Sequence, residues 1–233
     1  MLEREHISIT NFHGDPNVGL HGLATDTYCL VGNCATDKQV AELEKKLKVP
    51  VIRASLYGTD LVGLFAVGNS STLLLPHIIF EHEMKKLKPL FAKLNVSIKV
   101  IKTEHTAFGN NILMNDRVAI VSDAYDKKSF AAIRDALKDK NIKIEQFSLA
   151  KTSVPGSVGK ITNKGSTFSP NLSEAEIKKV ESLLGFEIGL STVNLGNPFV
   201  ASGIIANSFG FAVGSSSSGF EVSRIDESLG FLR

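Results

Sequence analysis

A nine-residue block that recurs five times constrains this chain more than any other feature of its sequence. Each block is a polar turn followed by an apolar, strand-like run, and the clearest copy is Met114–Ser122 (MNDRVAIVS). The second residues of the five blocks lie about 45 residues apart and are Thr25, Asn69, Asn115, Asn163 and Asn207. A fixed period of roughly 20–50 residues is the signature of a repeat protein, whose units bury their apolar faces against one another.

A helix with one apolar face is predicted after every block. In each unit three apolar residues recur with a spacing that places their side chains on one side of a helix. These stripes are Val40, Leu43 and Leu47; Met84, Leu87 and Phe91; Phe130, Ile133 and Leu137; Ile177, Val180 and Leu184; and Val222, Ile225 and Leu229. Residues that cap helix N-termini, such as Thr36 and Ser173, precede most stripes. Pro89 falls inside the second stripe, which predicts a kink or a restart of that helix.

Strand patterns around these helices predict a closed ring. An apolar or alternating strand follows each of the first four helices, and short strands are expected before the blocks at Leu61–Val67, Val158–Ile161 and Val200–Ala206. No strand follows the fifth helix, whereas Glu5–Thr10 alternates and has no helix before it. We predict that this N-terminal strand completes the last unit, because a closed ring leaves no sheet edge exposed.

The expected architecture is a single α/β domain of five units that share interfaces. The predicted units cover residues 18–58, 59–105, 106–151, 152–196 and 197–233, with the closing strand within residues 4–13.

The net charge of +2 is too small for a protein that wraps nucleic acid electrostatically. No apolar run approaches the ~18 residues of a membrane span, and two cysteines fit a reducing compartment. We expect a cytoplasmic monomer that binds neither DNA nor a membrane.

The candidate chemical groups do not predict an active site. His6, His13 and His21 lie near the start of the chain without the spacing of metal ligands. Cys29 is typical of a buried strand residue, and Cys34 lies in a polar loop. Neither cysteine has a histidine and an acid at a recognisable sequence spacing. We predict no metal, no cofactor and no catalytic thiol.

The loops that join one unit to the next hold the candidate binding residues. Ring symmetry places all five loops on one face, where aromatic residues indicate either a partner surface or packing over the ring. The predicted binding residues are Asn17, Tyr57, Thr59, Phe108, Gly109, Asn110 and Phe199. The competing surface is the outer rim of helices, where lysines such as Lys178 and Lys179 lie off the apolar stripes. Those lysines are typical of a solvated face and would otherwise attract a polyanion weakly.

Short motifs spread along the chain match one known family in the same order. They are Thr27–Val31, Val49–Val51 with Ala54 and Ser55, Val67–Asn69, Gly109 with Asn110, Asn115 and Asp116 with Val118 and Ala119, and Thr192–Asn194. On these residues the chain is similar to the translation initiation factor 6 family of archaea and eukaryotes, from about Gly19 to Phe231. The resemblance implies the pentein fold, which is five-fold pseudosymmetric with strands inside and helices outside.

The resemblance also implies a function. Members of the family bind the large ribosomal subunit at its subunit-joining face, near the sarcin–ricin loop and largely through a ribosomal protein, and so exclude the small subunit. Gly109–Asn110 matches a family contact loop, so Asn110 is carried over as a contact. The end at Arg233, without the tail of eukaryotic members, implies an archaeal type without regulation through a tail. Leu64 stands where eukaryotic members tend to be basic, so that basic contact is not expected.

Two other classes of function stay open at this point. Enzymes with the pentein fold hydrolyse guanidino groups using a cysteine, a histidine and an acid, and their cysteine comes late in the chain. Here the last cysteine is Cys34 and the last histidine is His105, which argues against this chemistry. A ring-shaped scaffold for other partners is the third alternative.

Overall fold

The protein is a ring of five similar units, as seen in a computed structural model that describes residues 5–138 and 141–232. Each unit forms its own three-stranded sheet, in which the first strand is antiparallel and the last strand parallel to the middle one. A short helical turn precedes each sheet, and each turn contacts the turn of the next unit until the fifth returns to the first. The pentein fold expected from the resemblance is therefore confirmed.

The units share one order of elements: a short helical turn, two strands, a long helix and a third strand. The first unit contains the 3-10 turn Val18–Leu20, β2 (Gly22–Ala24), β3 (Cys29–Gly32), α1 (Asp37–Leu47) and β4 (Val51–Ala54). The second contains α2 (Val62–Phe65), β5 (Val67–Asn69), β6 (Thr72–Pro76), α3 (Glu81–Lys93) and β7 (Ser97–Ile101). The third contains α4 (Phe108–Asn111), β8 (Ile112–Met114), β9 (Val118–Val121), α5 (Lys127–Leu137) and β10 (Lys143–Gln146).

The last two units follow the same order. The fourth contains α6 (Pro155–Val158), β11 (Gly159–Ile161), β12 (Ser166–Phe168), α7 (Glu174–Leu184) and β13 (Gly189–Leu190). The fifth contains the 3-10 turn Val200–Gly203, β14 (Ile204–Ala206), β15 (Phe211–Gly214) and α8 (Gly219–Ser228), and β1 (Ile7–Thr10) supplies its third strand. Every residue of the five middle strands is buried. In the first unit, one face of the middle strand packs on the unit's own helix and the other on the second unit.

The N-terminal strand closes the ring, as the sequence predicts. Ile7–Thr10 pairs in parallel with Phe211–Gly214, with Ile7 opposite Phe211 and Thr10 opposite Gly214. The main-chain N–H of Ser215 continues the ladder by donating to the carbonyl oxygen of Thr10 at 2.8 Å. The first and last segments of the chain thus form one sheet, and the edge of β15 is covered.

The five long helices pack their predicted stripes against the sheets, with two departures. The sequence predicts a kink or a restart at Pro89, and α3 runs through Pro89 as one helix, so the restart is wrong. Pro89 is exposed, and the carbonyl that loses its helical partner belongs to the exposed Lys85, where water can take that place. Lys178 and Lys179 are exposed as expected of the rim, but Lys46 is 2% exposed and lies 3.6 Å from the Glu42 carboxylate.

The short helical turns were not predicted. The expected strand Leu61–Val67 is in fact α2 followed by β5, and the expected strands Val158–Ile161 and Val200–Ala206 likewise begin with helical turns. A three- or four-residue turn is too short to show helical periodicity, so its apolar residues look like part of a strand. None of the helices in the described segments combines the length and apolarity that crossing a bilayer requires.

Candidate functional site: the two ends of the ring

The polar turn of each block is organised by one side-chain oxygen. In the third unit Asn115 Oδ1 accepts hydrogen bonds from the main-chain N–H groups of Arg117 and Val118, at 2.9 and 2.8 Å. The residues that accept in this way in the five units are Thr25, Asn69, Asn115, Thr162 and Asn207. The prediction of Asn163 as the fourth of these is therefore wrong by one residue. Measured from Thr162, the three apolar residues of the fourth helix lie at the same sequence distances as those of the other helices do from their own turn residues.

The residues that follow these oxygens close one end of the ring, which we call the sealed end. They are Asp26, Ser70, Asp116, Asn163 and Ser208. Asn163 Nδ2 donates to the carboxylates of both Asp26 and Asp116, and Ser70 and Ser208 each donate to one of these carboxylates through N–H and hydroxyl groups. The two carboxylates are therefore held by neutral donors on several sides, and this end of the axis is bridged by side chains.

Glycine lets the short helical turns meet main chain to main chain around the axis. A Cβ added at Gly109 would lie 1.8 Å from the carbonyl oxygen of Gly63, and one at Gly63 would lie 2.1 Å from that of Gly19. The same contact continues from Gly156 to Gly109 and from Gly19 to Ala201. The predicted site residue Gly109 is therefore part of a structural ring in which a side chain has no space.

A central cavity of about 310 Å³ runs along the axis, and all five units line it. Asn110 and Ser157, which follow two of the ring glycines, belong to its lining together with Asn17 and Phe199. The predicted site residue Asn110 thus lies close to the axis and not at the tip of a peripheral loop. Its side-chain amide has no hydrogen bond among the described residues.

The loops that lead into the short turns form the other end of the ring, which we call the loop face. Four of the five loops are tight turns whose central residues have positive φ, among them Tyr57 at 55° and Leu195 at 65°. An L-residue in this region costs roughly 1–2 kcal/mol, so other contacts must hold these turns. The loops of the fifth and first units touch, since Asn194 Nδ2 donates to the carbonyl oxygen of Pro16 at 3.0 Å.

Carboxylates at the N-termini of the long helices hold these strained turns. Glu221 accepts from the N–H groups of Ser218 and Gly196, at 2.7 and 2.9 Å, and from the Thr192 hydroxyl at 2.8 Å. Burial alone would raise the pKa of Glu221, but these hydrogen bonds outweigh it and lower the pKa to about 2. Glu83 accepts in the same way from Tyr57 and Gly58, and Glu176 accepts from Ala150. One residue therefore caps a helix and fixes a loop of the loop face.

Of the predicted contact residues, Tyr57 and Phe199 are 48% and 44% exposed on this face. Thr59 and Asn17 are half-buried and have internal partners, because the Thr59 hydroxyl donates to the Leu56 carbonyl and Asn17 Nδ2 donates to Asp15. Leu195 is 78% exposed and was not predicted, because a leucine in a turn of positive φ has no sequence signature.

Phe108 does not belong to the exposed surface, and that part of the prediction is wrong. Its side chain is fully buried and packs in the core between the second and third units, with its ring 6.4 Å from that of Tyr125. The cause is the unpredicted helix α4, in which Phe108 is the first residue and turns inward.

Cys34 has neighbours that its sequence spacing did not reveal. Its Sγ lies 3.7 Å from His21 Nδ1, and His21 Nε2 lies 3.1 Å from the Asp15 carboxylate. The sequence spacing of Cys34 gave no sign of these neighbours, but the fold brings a histidine and an acid close to it. Burial and the charges of Asp60 and Asp15 raise the pKa of Cys34, which keeps the thiol protonated and unreactive. The arrangement orients His21 and does not produce a thiolate.

Comparison with known proteins supplies the family. The profile of the eIF-6 family matches residues 7–228. Translation initiation factor 6 of Pyrococcus abyssi is 33% identical over 229 residues, which cover 97% of this chain and 100% of the relative. The corresponding proteins of Thermococcus kodakarensis and Methanocaldococcus jannaschii are 35% and 33% identical, over 97% and 95% of this chain and 99% and 96% of theirs. The chain belongs to the eIF-6 family.

The relatives of this eIF-6 chain are translation initiation factors by name, so the family is one of translation factors and not an enzyme class. Two solved enzyme structures show a weaker likeness. A dimethylarginine dimethylaminohydrolase of Pseudomonas aeruginosa with citrulline is 11% identical with a TM-score of 0.45, covering 94% of this chain and 74% of the enzyme. Another, an adduct with S-methyl-L-thiocitrulline, is 13% identical with a TM-score of 0.48, covering 94% and 73%. At this distance the likeness says nothing about activity.

Proposed function

We propose that this eIF-6 family chain binds the large ribosomal subunit through its loop face and prevents the small subunit from joining by occupying the joining surface. Family membership over nearly the whole chain supports the ribosomal role. The contact would be made at the subunit-joining face, near the sarcin–ricin loop and largely through a ribosomal protein. We place the protein in the cytoplasm as a monomer that acts without bond-making chemistry.

The observation that carries the assignment to this face is the arrangement of Asn110, Tyr57, Leu195 and Phe199 at one end of the ring. The Asn110 amide has no hydrogen-bond partner among the described residues, and the three apolar side chains are 48%, 78% and 44% exposed. Exposed aromatic and aliphatic residues on rigid turns are typical of protein–protein contacts, because little side-chain or loop entropy is lost on binding. The carboxylates of Glu83 and Glu221 supply that rigidity.

Steric exclusion makes a quantitative prediction. A complex of standard size buries roughly 1,600 Å² in total, and a few central residues dominate its free energy. Because no chemical step follows binding, inhibition of subunit joining should follow the fraction of large subunits that carry the factor. The rim of helices should contribute little, since surface charge pairs are worth at most about 1 kcal/mol each.

The test is a light-scattering assay of subunit joining with graded amounts of factor. Asn110→Arg places a long charged side chain beside the axis and should require about 30-fold more protein for half inhibition. The paired rim variant Lys178→Ala with Lys179→Ala should inhibit like the unaltered protein. The proposal fails if the lysine pair abolishes inhibition while Asn110→Arg retains it, because the helical rim would then be the binding surface.

A further inference from the structure

The fourth unit has a polar pair of strand residues where the other four units have an apolar pair. In each unit the first two strands place three pairs of residues opposite one another, and the pair that starts two residues before the turn oxygen residue is equivalent in all five units. In four units the pair is apolar: Leu23 with Leu30, Val67 with Leu74, Leu113 with Ile120, and Ile205 with Ala212. In the fourth unit the pair is Lys160 with Thr167. Residues opposite one another share a face of the sheet, so an ammonium and a hydroxyl replace two core side chains.

Neither polar group of this pair is satisfied by the protein. Among residues 5–138 and 141–232, Lys160 makes no hydrogen bond or ion pair, and the Thr167 hydroxyl is fully buried without a partner. Burial lowers the pKa of Lys160 to about 8, because no carboxylate compensates for the loss of hydration. The Thr167 hydroxyl is enclosed by protein, whereas Lys160 is half-buried and lines the cavity. A cation that is partly withdrawn from water without a partner is costly, and its retention points to bound water or a ligand.

The surroundings of Lys160 suit a small anion. Lys160, Asn110 and Ser157 line the same central cavity, and the side chains of Asn110 and Ser157 make no hydrogen bond within the described segments. The volume of about 310 Å³ corresponds to about ten water molecules, which leaves room for a hydrated oxyanion. The other polar side chains of the lining, Asn17, Asn197 and Ser202, donate to protein groups. Among the described residues, the donors of the lining that have no partner therefore belong to the third and fourth units.

We propose that the central cavity is a binding site for a small oxyanion of the size of inorganic phosphate, held by Lys160 with Asn110 and Ser157 as hydrogen-bond donors. The anion neutralises Lys160, the lysine that lines the cavity among the described residues, and takes the place of the missing carboxylate. Because the anion favours the charged amine, binding above pH 8 takes up a proton. The site does not depend on ribosome binding.

The test measures thermal stability in sodium phosphate against sodium chloride of equal ionic strength at pH 7. Phosphate at saturation should raise the Tm of the unaltered protein by about 3–6 °C relative to chloride. Lys160→Leu, which gives this position an apolar residue as in the other four units, should lose this increment. Ser157→Ala, which removes only a hydroxyl of the cavity lining, should weaken phosphate binding several-fold. Lys178→Ala, at an exposed rim position, should keep the full increment.

Nitrogen NMR of lysine-labelled unaltered protein gives a readout that does not require a variant to fold. One lysine amine should titrate near pH 8 in chloride and at least one pH unit higher in phosphate. A phosphate increment that is equal in Lys160→Leu and the unaltered protein would overturn the proposal, as would the absence of any increment. A lysine titration that phosphate does not move would also overturn it. Subunit-joining assays in chloride test the proposed function separately.

Discussion

His6 Nε2 lies 2.6 Å from Asp226 Oδ1, a contact that joins the residue before the first strand to the last long helix. Asp226 is fully buried, and the His6 ring stacks on Phe231 with a centroid distance of 4.6 Å. The closing strand is therefore held by a side-chain contact as well as by its main-chain ladder to β15. Ring closure rests on two ends of the chain that are more than two hundred residues apart.

Removing this contact should loosen the closure of the ring. His6→Ala takes a hydrogen-bond partner from a buried carboxylate and should lower the free energy of unfolding by about 1–3 kcal/mol. Urea denaturation at pH 7 measures the change. His77→Ala, at an exposed turn, is the matched control and should stay within about 0.5 kcal/mol of the unaltered protein. Equal stabilities of the two variants would show that the contact does not contribute to closure.

The hydrogen bonds that Glu221 accepts from the loop face should make the stability of the protein depend on pH. The pKa of Glu221 is about 2 in the folded protein and near its ordinary value in the unfolded chain, so the folded state binds the proton more weakly. Its stabilisation is therefore fully present above about pH 4.5 and is lost as the pH falls towards 2. Glu221→Gln should cost about 1–3 kcal/mol at pH 7 and much less at pH 2.5. Glu227→Gln, at an exposed position of the same helix, serves as the control.

The two cysteines should be dispensable for function. Burial raises the pKa of Cys29 to about 12 and also raises that of Cys34, so both thiols should react slowly with a disulfide reagent until the protein unfolds. Cys29→Ala should cost about 1–2 kcal/mol of stability, because a buried side chain is removed. Cys34→Ser should remain folded and inhibit subunit joining. A folded Cys34→Ser protein that no longer binds the large subunit would assign a functional role to this thiol.

The ring itself could be predicted from the sequence because its signals repeat. Five stripes of helical spacing and five polar turns support one another, and the spare strand at the start of the chain matches the missing strand at the end. The fourth polar turn was misplaced by one residue because Thr162 and Asn163 are both turn residues. The hydrogen bonds from the Lys164 and Gly165 N–H groups to Thr162 Oγ1 distinguish them.

Much of the candidate site could not be predicted, because it depends on short local structures. Phe108 and Asn110 both belong to helix α4, which spans four residues. The helical turn places Phe108 in the core and Asn110 in the lining of the cavity. Leu195 has a positive φ, and because the residue is neither glycine nor asparagine, the sequence does not indicate it. The approach of Cys34 to His21 arises from a tertiary contact that sequence spacing does not encode.

The exposed apolar residues of the loop face should account for most of the affinity for the large subunit. Leu195→Ala and Phe199→Ala each remove exposed apolar surface without touching the core, so both variants should fold normally. Each should weaken the complex by about 10- to 30-fold if the residue is a binding hot spot. Phe209→Ala is the matched control, because Phe209 is 40% exposed next to Ser208 at the sealed end, against 44% for Phe199 on the loop face.

Co-sedimentation of these variants with purified large subunits on a sucrose gradient shows which end of the ring binds. If the loop face binds, Phe209→Ala sediments with the large subunit like the unaltered protein, whereas Phe199→Ala and the double variant with Leu195→Ala stay at the top of the gradient. If Phe209→Ala is released and both loop-face variants are retained, the binding surface is the sealed end and the loop-face proposal is wrong.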